Sequence, residues 1–270
     1  MQGATKNLSR AERHEEIVRY VAARNGSSFA ELVDHFGVSQ MTIYRDVEQL
    51  ERLNALRRIP GGVTSQPSSV YESSLEYRRT VALPEKEAIA RAALKFVEPG
   101  MSIMLDDGTT VLPMVAGLAQ LAPLTVVSGF TPILDLLRGV DGIELIPLGG
   151  NYRRRHDCVV GVLCEEMLRQ VHADIAFMST PAVYRGRMLH QEQEMVGVKR
   201  AMIAACRRRV LMADHNKLGR SATHQVTGLE RFDHIIVDSG IDSEGRAQLG
   251  DAEPLLEIAQ VQGDAFLTDS

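Results

Sequence analysis

Apolar positions at the start of the chain recur at helical spacing in three blocks, each with its own start signal. Ser9-Arg10-Ala11-Glu12 reads as a capping box, opening a helix to about residue 24 with Ile17, Tyr20 and Val21 on its inner face and Asn25-Gly26 as its stop. Ser28-Phe29-Ala30-Glu31 is a second capping box, and Leu32, Val33 and Phe36 make the short helix after it apolar on one side. Gly37 then supplies a tight bend and Ser39 can cap the free amides of a third helix running to about residue 53. Val38 can staple onto Ile43, and Ile43, Val47 and Leu50 fall at i, i+4 and i+7 to give one stripe. Residues 55–63 read as a hairpin with a Pro60-Gly61-Gly62 tip. Three helices and a basic hairpin are the outline of a winged helix-turn-helix.

The polar face of the third helix is unlike an ordinary solvated one. Ser39, Gln40, Met41, Thr42, Tyr44 and Arg45 put hydroxyl, amide, thioether and guanidinium groups near its N-terminal end, where recognition helices meet base edges. Arg57 and Arg58 on the hairpin are placed to touch phosphates. Ser39, Gln40, Thr42, Tyr44, Arg45, Arg57 and Arg58 are therefore the candidate contacts to a double-stranded DNA operator.

After residue 64 the periodicity stops. Thr64-Ser65-Gln66-Pro67-Ser68-Ser69 is polar and reads as a linker, and residues 71–79 form a short amphipathic segment able to pack on either domain or on a partner subunit. Strand-like and helix-like runs then alternate. Strands are expected at 102–106, 124–128, 143–148, 175–178, 210–213 and 234–237, with a closing strand at 264–267. Helices are expected at 84–97, from 109 to about 121, after Pro132, at 161–170, at 191–206 and at 251–259. This alternation predicts an α/β domain with a doubly wound, mostly parallel sheet. The domains are then 1–64, a linker at 65–80, and 81–270.

Composition adds limits. Residues 1–70 hold nine Lys and Arg against eight Asp and Glu, a net +1, whereas the remainder holds 21 against 27, a net −6, so the acidity of the chain lies in its second part. DNA binding must rest on placement rather than total charge. The three cysteines form no CxxC pair, no apolar run reaches membrane-spanning length, and residues 1–7 lack the apolar centre of a signal peptide. A cytoplasmic location is expected.

In doubly wound sheets ligands bind beyond the carboxyl ends of the strands. Those ends here carry Asp106, Asp107, Gly108, Thr109 and Thr110; Ser128-Gly129; Gly149-Gly150 followed by Arg153-Arg154-Arg155; Ser179-Thr180; and Asp214, His215, Asn216 and Lys217. Backbone amides at a helix start, hydroxyls and cations together make an anion cradle. The candidate set is Asp106, Gly108, Thr109, Thr110, Ser128, Gly150, Arg153, Ser179 and Lys217, with Lys217 preferred as the cation. Blander readings stand beside it. Asp214 and Lys217 could be a loop ion pair, and an arginine run is most often a solvated face. Glu192 and Glu194, two apart on a helix, face different ways, so one at least is expected to face solvent. His156, Cys158 and Cys164 match no zinc spacing, Met101 and Met104 read as core, and no metal or cofactor is expected.

Taken together, Ser39-x-x-Thr42-Ile43-x-Arg45-Asp46-Val47, Gly61-Gly62, Asp106-x-Gly108-Thr109-Thr110, Gly149-Gly150-x-x-Arg153, Lys199-Arg200-Ala201-Met202-Ile203 and Asp214-x-x-Lys217-x-Gly219-Arg220 carry a resemblance. In this order, and over nearly the full length, the chain resembles the DeoR-type bacterial transcriptional regulators of sugar catabolism. The resemblance implies a repressor whose sensor domain is similar to sugar-phosphate isomerases, binds a phosphorylated sugar or polyol, and then releases DNA. Tyr44 stands where that family usually has a second Arg, Ile59-Pro60 replaces its His-Gly approach to the wing, and Ser128-Gly129-Phe130 and Ser179-Thr180-Pro181-Ala182-Val183 replace its usual loops. A homodimer or homotetramer is expected, because a symmetric site is read by a symmetric protein. Two rivals are an isomerase-like enzyme carrying a DNA-binding module, and a winged helix that binds protein instead of DNA. The acidic catalytic loop of such isomerases is not found in the chain.

Overall fold

A computed structural model of the protein describes residues 8–24, 26–65 and 73–261. Residues 1–7, Asn25, residues 66–72 of the expected linker and the closing strand expected at 264–267 lie outside the described residues. The chain divides into two compact units, Met1–Val81 and Ala82–Ser270.

In the first unit α1 (Arg10–Arg24), β1 (Ser27–Ser28), α2 (Phe29–Phe36), α3 (Gln40–Arg52), β2 (Leu56–Ile59), β3 (Gly62–Ser65) and α4 (Leu75–Thr80) follow in order. Both capping boxes form: Ser9 N–H donates to Glu12 and Glu12 N–H to Ser9 Oγ, and Ser28 and Glu31 exchange the same pair of bonds. Gly37 works as a left-handed helix stop at φ 63°, its N–H donating to Val33 O. Ser39 Oγ accepts from Thr42 N–H and starts α3. Ile17, Val21, Leu32, Phe36, Ile43, Val47, Leu50, Leu56 and Val63 close the core. The hairpin turns at Pro60-Gly61, with Gly61 at φ +81°, and β3 takes β1 on its other side. Gly62 permits that pairing, since a Cβ there would lie 2.3 Å from Ser27 O. The amphipathic segment belongs to this unit: Ser74 N–H donates to Leu53 O at 2.9 Å and Tyr77 is buried in the core.

The second unit runs α5 (Leu83–Leu94), β4 (Ser102–Leu105), α6 (Val115–Leu118), β5 (Leu124–Ser128), α7 (Thr131–Leu137), β6 (Ile143–Pro147), β7 (Asn151–Arg153), β8 (Cys158–Val160), α8 (Val162–Arg169), β9 (Ala173–Ser179), β10 (Ala182–Tyr184), β11 (Arg187–His190), α9 (Gln193–Ala204), β12 (Cys206–Ala213), β13 (His224–Gly228), β14 (His234–Asp238), α10 (Ser243–Ala247) and β15 (Leu256–Ala259). Seven strands form one parallel sheet in the order β15-β14-β12-β9-β4-β5-β6. Ile103, Met104, Leu105, Val126, Ile175, Phe177, Leu211, Ile235 and Ile236 are fully buried, as expected of parallel strands covered on both faces. From β4 the chain moves outward to β5 and β6, then returns to β9 and moves outward the other way. The order therefore reverses between the neighbours β4 and β9, and the crevice beyond their carboxyl ends is where such sheets hold ligands.

Four expectations need correction. The long helix to about residue 121 is a 3-10 turn at Leu112–Met114, the single α turn α6, and a further 3-10 turn at Ala119–Leu121. Pro113 and the small Gly117, whose Cβ would sit 2.4 Å from Leu94 Cδ1, suit that tight path. The Gly149 to Arg155 loop contains β7 of a β7–β8 hairpin. Residues 182–190 and 224–228 form an antiparallel three-stranded sheet, β10-β11-β13, that the alternation did not signal. The last helix, expected at 251–259, is a 3-10 segment at Gly250–Leu255 containing Pro254, and its end becomes the edge strand β15.

Candidate effector site and nucleic-acid interface

The carboxyl ends of β4 and β9 are joined through Asp106. Its Oδ2 accepts from Ser179 N–H at 2.7 Å and from Lys199 Nζ at 2.7 Å, and its Oδ1 accepts from Gly108 N–H at 2.8 Å. Lys199 also reaches Asp107 Oδ1 at 3.0 Å and Ser179 O at 3.1 Å. Burial alone would depress the Lys199 ammonium, but attraction from Asp106 and Asp107 outweighs it and the net direction is upward. Burial pushes the Asp106 carboxyl up, against the pull of Lys199. The Asp106–Lys199 bridge is sealed from water, and Asp107, 12% exposed, sets a second carboxylate against the same ammonium. Gly108 must be glycine here, because a Cβ would stand 2.4 Å from Ser179 Cβ.

Lys217 is held differently. It lies on a 3-10 turn after β12, and its Nζ donates to Thr110 Oγ1 at 2.8 Å and to Ser179 Oγ at 3.3 Å, with Asp214 Oδ2 at 3.2 Å. Two of those three partners are neutral hydroxyls. Burial works to raise the Asp214 carboxyl, yet Lys217, Lys86 and Arg220 together bring it down to about 2. Lys217 thus makes the loop ion pair with Asp214 and at the same time meets the hydroxyls of Thr110 and Ser179.

The candidates fall into two groups. Asp106, Gly108, Thr110, Ser179 and Lys217 are brought together, with buried Thr109 between Gly108 and Thr110. The Gly108 amide is already used by Asp106, and Gly108 O accepts from Val111 and Leu112 N–H, so a tight 3-10 turn rather than a regular α-helix starts here. Ser128 is buried with its Oγ donating to Leu105 O and accepting from Phe130 N–H, so it ties strand ends. Gly150, at φ +148°, allows close packing, since its Cβ would lie 2.7 Å from Val160 O. Arg153 makes a two-pronged ion pair with Glu194, at 2.8 and 2.5 Å. Glu192 takes His156 at 2.8 Å and Arg155 at 3.5 Å. Glu194 is exposed, as expected of at least one of the two, and both glutamates clasp the β7–β8 hairpin to the start of α9.

Lys199, Lys86 and Asp238, all buried, lie outside the candidate set. Lys199 had a signal in the Lys199-Arg200 motif. Lys86, in the first turn of α5 beside Glu85, reads as a surface residue in sequence, and only the fold buries it.

On the first unit Gln40 and Arg45 are exposed and Thr42 is half-buried. Ser39 is occupied as the cap, its Oγ 2.9 Å from Thr42 Oγ1. Tyr44 is less available than expected, its ring stacked on Phe29 with centroids 4.2 Å apart. Arg57 is exposed on the hairpin, whereas Arg58 Nε is bound to Glu51 at 2.6 Å. Asp46, within the expected recognition pattern, faces inward: it is 2% exposed and accepts from Arg13 Nε at 2.7 Å and meets His14 Nε2 at 3.0 Å. Among the described residues no helix is long and apolar enough to cross a membrane.

A family profile described as the DeoR C terminal sensor domain matches residues 82–239, and one described as a DeoR-like helix-turn-helix domain matches residues 13–69. The HTH-type transcriptional regulator YgbI of Escherichia coli K12 is 37% identical over 237 residues, covering 87% of this chain and 93% of that protein. The glycerol-3-phosphate regulon repressor of the same organism is 28% identical over 233 residues, covering 86% and 92%. The transcriptional repressor AccR of Agrobacterium fabrum C58 is 29% identical over 234 residues, covering 86% and 91%. A ribose-5-phosphate isomerase in complex with phospho-erythronic acid aligns at TM-score 0.37 and 18% identity over 49% of this chain and 52% of its own, a likeness too partial to bear on function.

Proposed function

This chain belongs to the DeoR family of helix-turn-helix transcriptional regulators, and on that premise we propose that it represses a carbohydrate catabolic operon and is released from DNA by a phosphorylated sugar or polyol. Full-length relatives named as repressors, one of them for the glycerol-3-phosphate regulon, support this reading. The observation that carries the ligand class is the contrast between two lysines. Lys199 is closed off by two carboxylates and a carbonyl, while Lys217 shares its ammonium between one carboxylate, Asp214, and the hydroxyls of Thr110 and Ser179. A phosphate can take those hydroxyls' place at Lys217 without stranding a buried charge, because hydroxyls are neutral and re-orient. Thr109, Thr110, Ser179 and Lys217 form the proposed anion site beside the Asp106–Lys199 bridge.

On the DNA side Gln40, Thr42 and Arg45 are the proposed base-edge readers and Arg57 the phosphate contact. Ser39 acts as the cap, Tyr44 offers one ring edge, and Arg58 braces the wing against Glu51. A homodimer or homotetramer working in the cytoplasm completes the proposal, and a monomer by light scattering at micromolar concentration would exclude the assembly.

The ligand moves the equilibrium only by its differential affinity for the free and DNA-bound forms. The test is fluorescence anisotropy on a preformed complex with the gene's own upstream DNA, titrated with a panel of aldose, ketose and polyol phosphates. The wild type should release DNA with at least one of them, and Lys217→Ala should bind the same DNA and hold it throughout. Equal release from both proteins would remove Lys217 from the site.

A further inference from the structure

The turn that carries Lys217 carries a second cation-forming side chain. His215 Nδ1 lies 2.6 Å from Asp238 Oδ2, and Asp238 is fully buried at the carboxyl end of β14. The other bonds to Asp238 come from His215 N–H at 2.7 Å and Gly240 N–H at 3.0 Å. Gly240 is cut to fit the ring: a Cβ there would stand 2.5 Å from His215 Nδ1. The ring is thus fixed through Nδ1, while Nε2 has no hydrogen-bond partner among the described residues. The side chain is 29% exposed, so water reaches the ring. Lys86 and Lys199 are cations of the same region but are buried, and Lys217 is the neighbour on this turn that water also reaches.

We propose that His215, held in place by Asp238, is a second anion-binding residue of the sensor domain, donating from Nε2–H to the same anionic group that Lys217 holds. This rests on the anion-site reading above and adds a consequence that the lysine alone does not have: binding weakens as the imidazolium is lost. The groups that act on the ring are Asp238 from β14, Asp214 of its own turn and Glu85 from α5, while Lys217 and Lys86 act on Asp214. The Asp238 hydrogen bond raises the His215 imidazole above its ordinary value, with burial opposing and Asp238, Asp214 and Glu85 adding to the rise. The charged form is therefore present below that raised value and is lost as pH climbs through it.

The probe is sulfate, a dianion whose own charge does not change across the range. Sulfate binding to the full-length protein is measured by calorimetry at about pH 5.5 and at about pH 9, bracketing a raised histidine. Wild type should lose about tenfold in affinity between the two, the scale of one charge-assisted hydrogen bond, while His215→Asn, which can still reach Asp238, should show a flat profile. In wild type the His215 Nε2 nitrogen resonance should move on sulfate addition at the lower pH, a readout that needs no variant. An unshifted resonance, or an equal pH slope in His215→Asn, overturns the role of His215. If wild type binds sulfate at neither pH, the anion site itself is refuted; binding that Lys217→Ala abolishes while His215 stays silent leaves that site standing and removes only this inference.

Discussion

Asp46→Ala is the sharpest perturbation of the DNA-binding unit. Asp46 is 2% exposed, and around it stand Arg13 at 14%, His14 at 8% and the more open Arg10 at 60%. Removing the carboxylate leaves Arg13 and His14 without their acceptor in a largely dry place. Stripping one partner from a buried pair costs about 3–5 kcal/mol, and partial water access at Arg13 sets the expectation at the low end, about 3 kcal/mol. At about 1.4 kcal/mol per decade this is about a hundredfold in the local opening equilibrium. Hydrogen exchange on the full-length protein reads it directly: amides of α1 and α3 should exchange about a hundredfold faster, with the strands of the sensor sheet unchanged. Asp46→Asn, which keeps one acceptor, should fall between. Burial tends to raise the Asp46 carboxyl, but hydrogen bonds from His14 and Arg13 outweigh it and the net direction is down. That stabilisation is complete above the ordinary carboxylate range and is lost as pH falls through the depressed value. Protection in Asp46→Ala within threefold of wild type would refute the reasoning and mean that solvent screens the cluster.

Arg57→Ala should weaken operator binding and lower the salt slope by about one, as for one lost phosphate contact, while Arg58→Ala, already paired with Glu51, should change the slope less; anisotropy at several salt concentrations decides. Gly108→Ala forces a Cβ to 2.4 Å from Ser179 Cβ and should cost about 1–3 kcal/mol in urea unfolding while abolishing the effector response. Asp214→Asn should remove about 2 kcal/mol of sensor-domain stability at neutral pH, since the carboxyl is held at about 2 against an ordinary 3.8. The gap between variant and wild type should close as pH falls from 3.8 toward 2, and a gap independent of pH would exclude the linkage.

The first unit was legible because its signals are local. Capping boxes, the Gly37 stop and the stripe of Ile43, Val47 and Leu50 each act within one or two turns, so sequence spacing carries them. Asp46 escaped because its partners, Arg10, Arg13 and His14, lie on another helix. In the sensor domain the parallel strands were visible as apolar runs, but their use of polar ends was not. Arg153 looked like a free cation until the fold set Glu194 against it, and Ser128 looked like a ligand hydroxyl until Leu105 O and Phe130 N–H took both its bonding modes. Strands β10, β11 and β13 are three to five residues long, too short for alternation to mark them, and β15 lies directly after a proline-bearing turn that imitates a helix start.

The bridge between Asp106 and Lys199 spans 93 positions of the chain. A ribosome adding about 5–20 residues per second exposes the carboxylate roughly 5–20 s before its lysine emerges. Through that interval Asp106 must stay hydrated, so β4 cannot sink fully into the growing core beside β5 and β6, although their apolar residues are already present. Arrival of α9 is what makes sealing the centre of the sheet favourable. The bridge thereby orders biosynthesis: the crevice beyond β4 and β9 closes late, after the strands on both sides of β4 exist, and a nascent chain stalled before Lys199 carries an open, charged seam that chaperones and proteases can recognise.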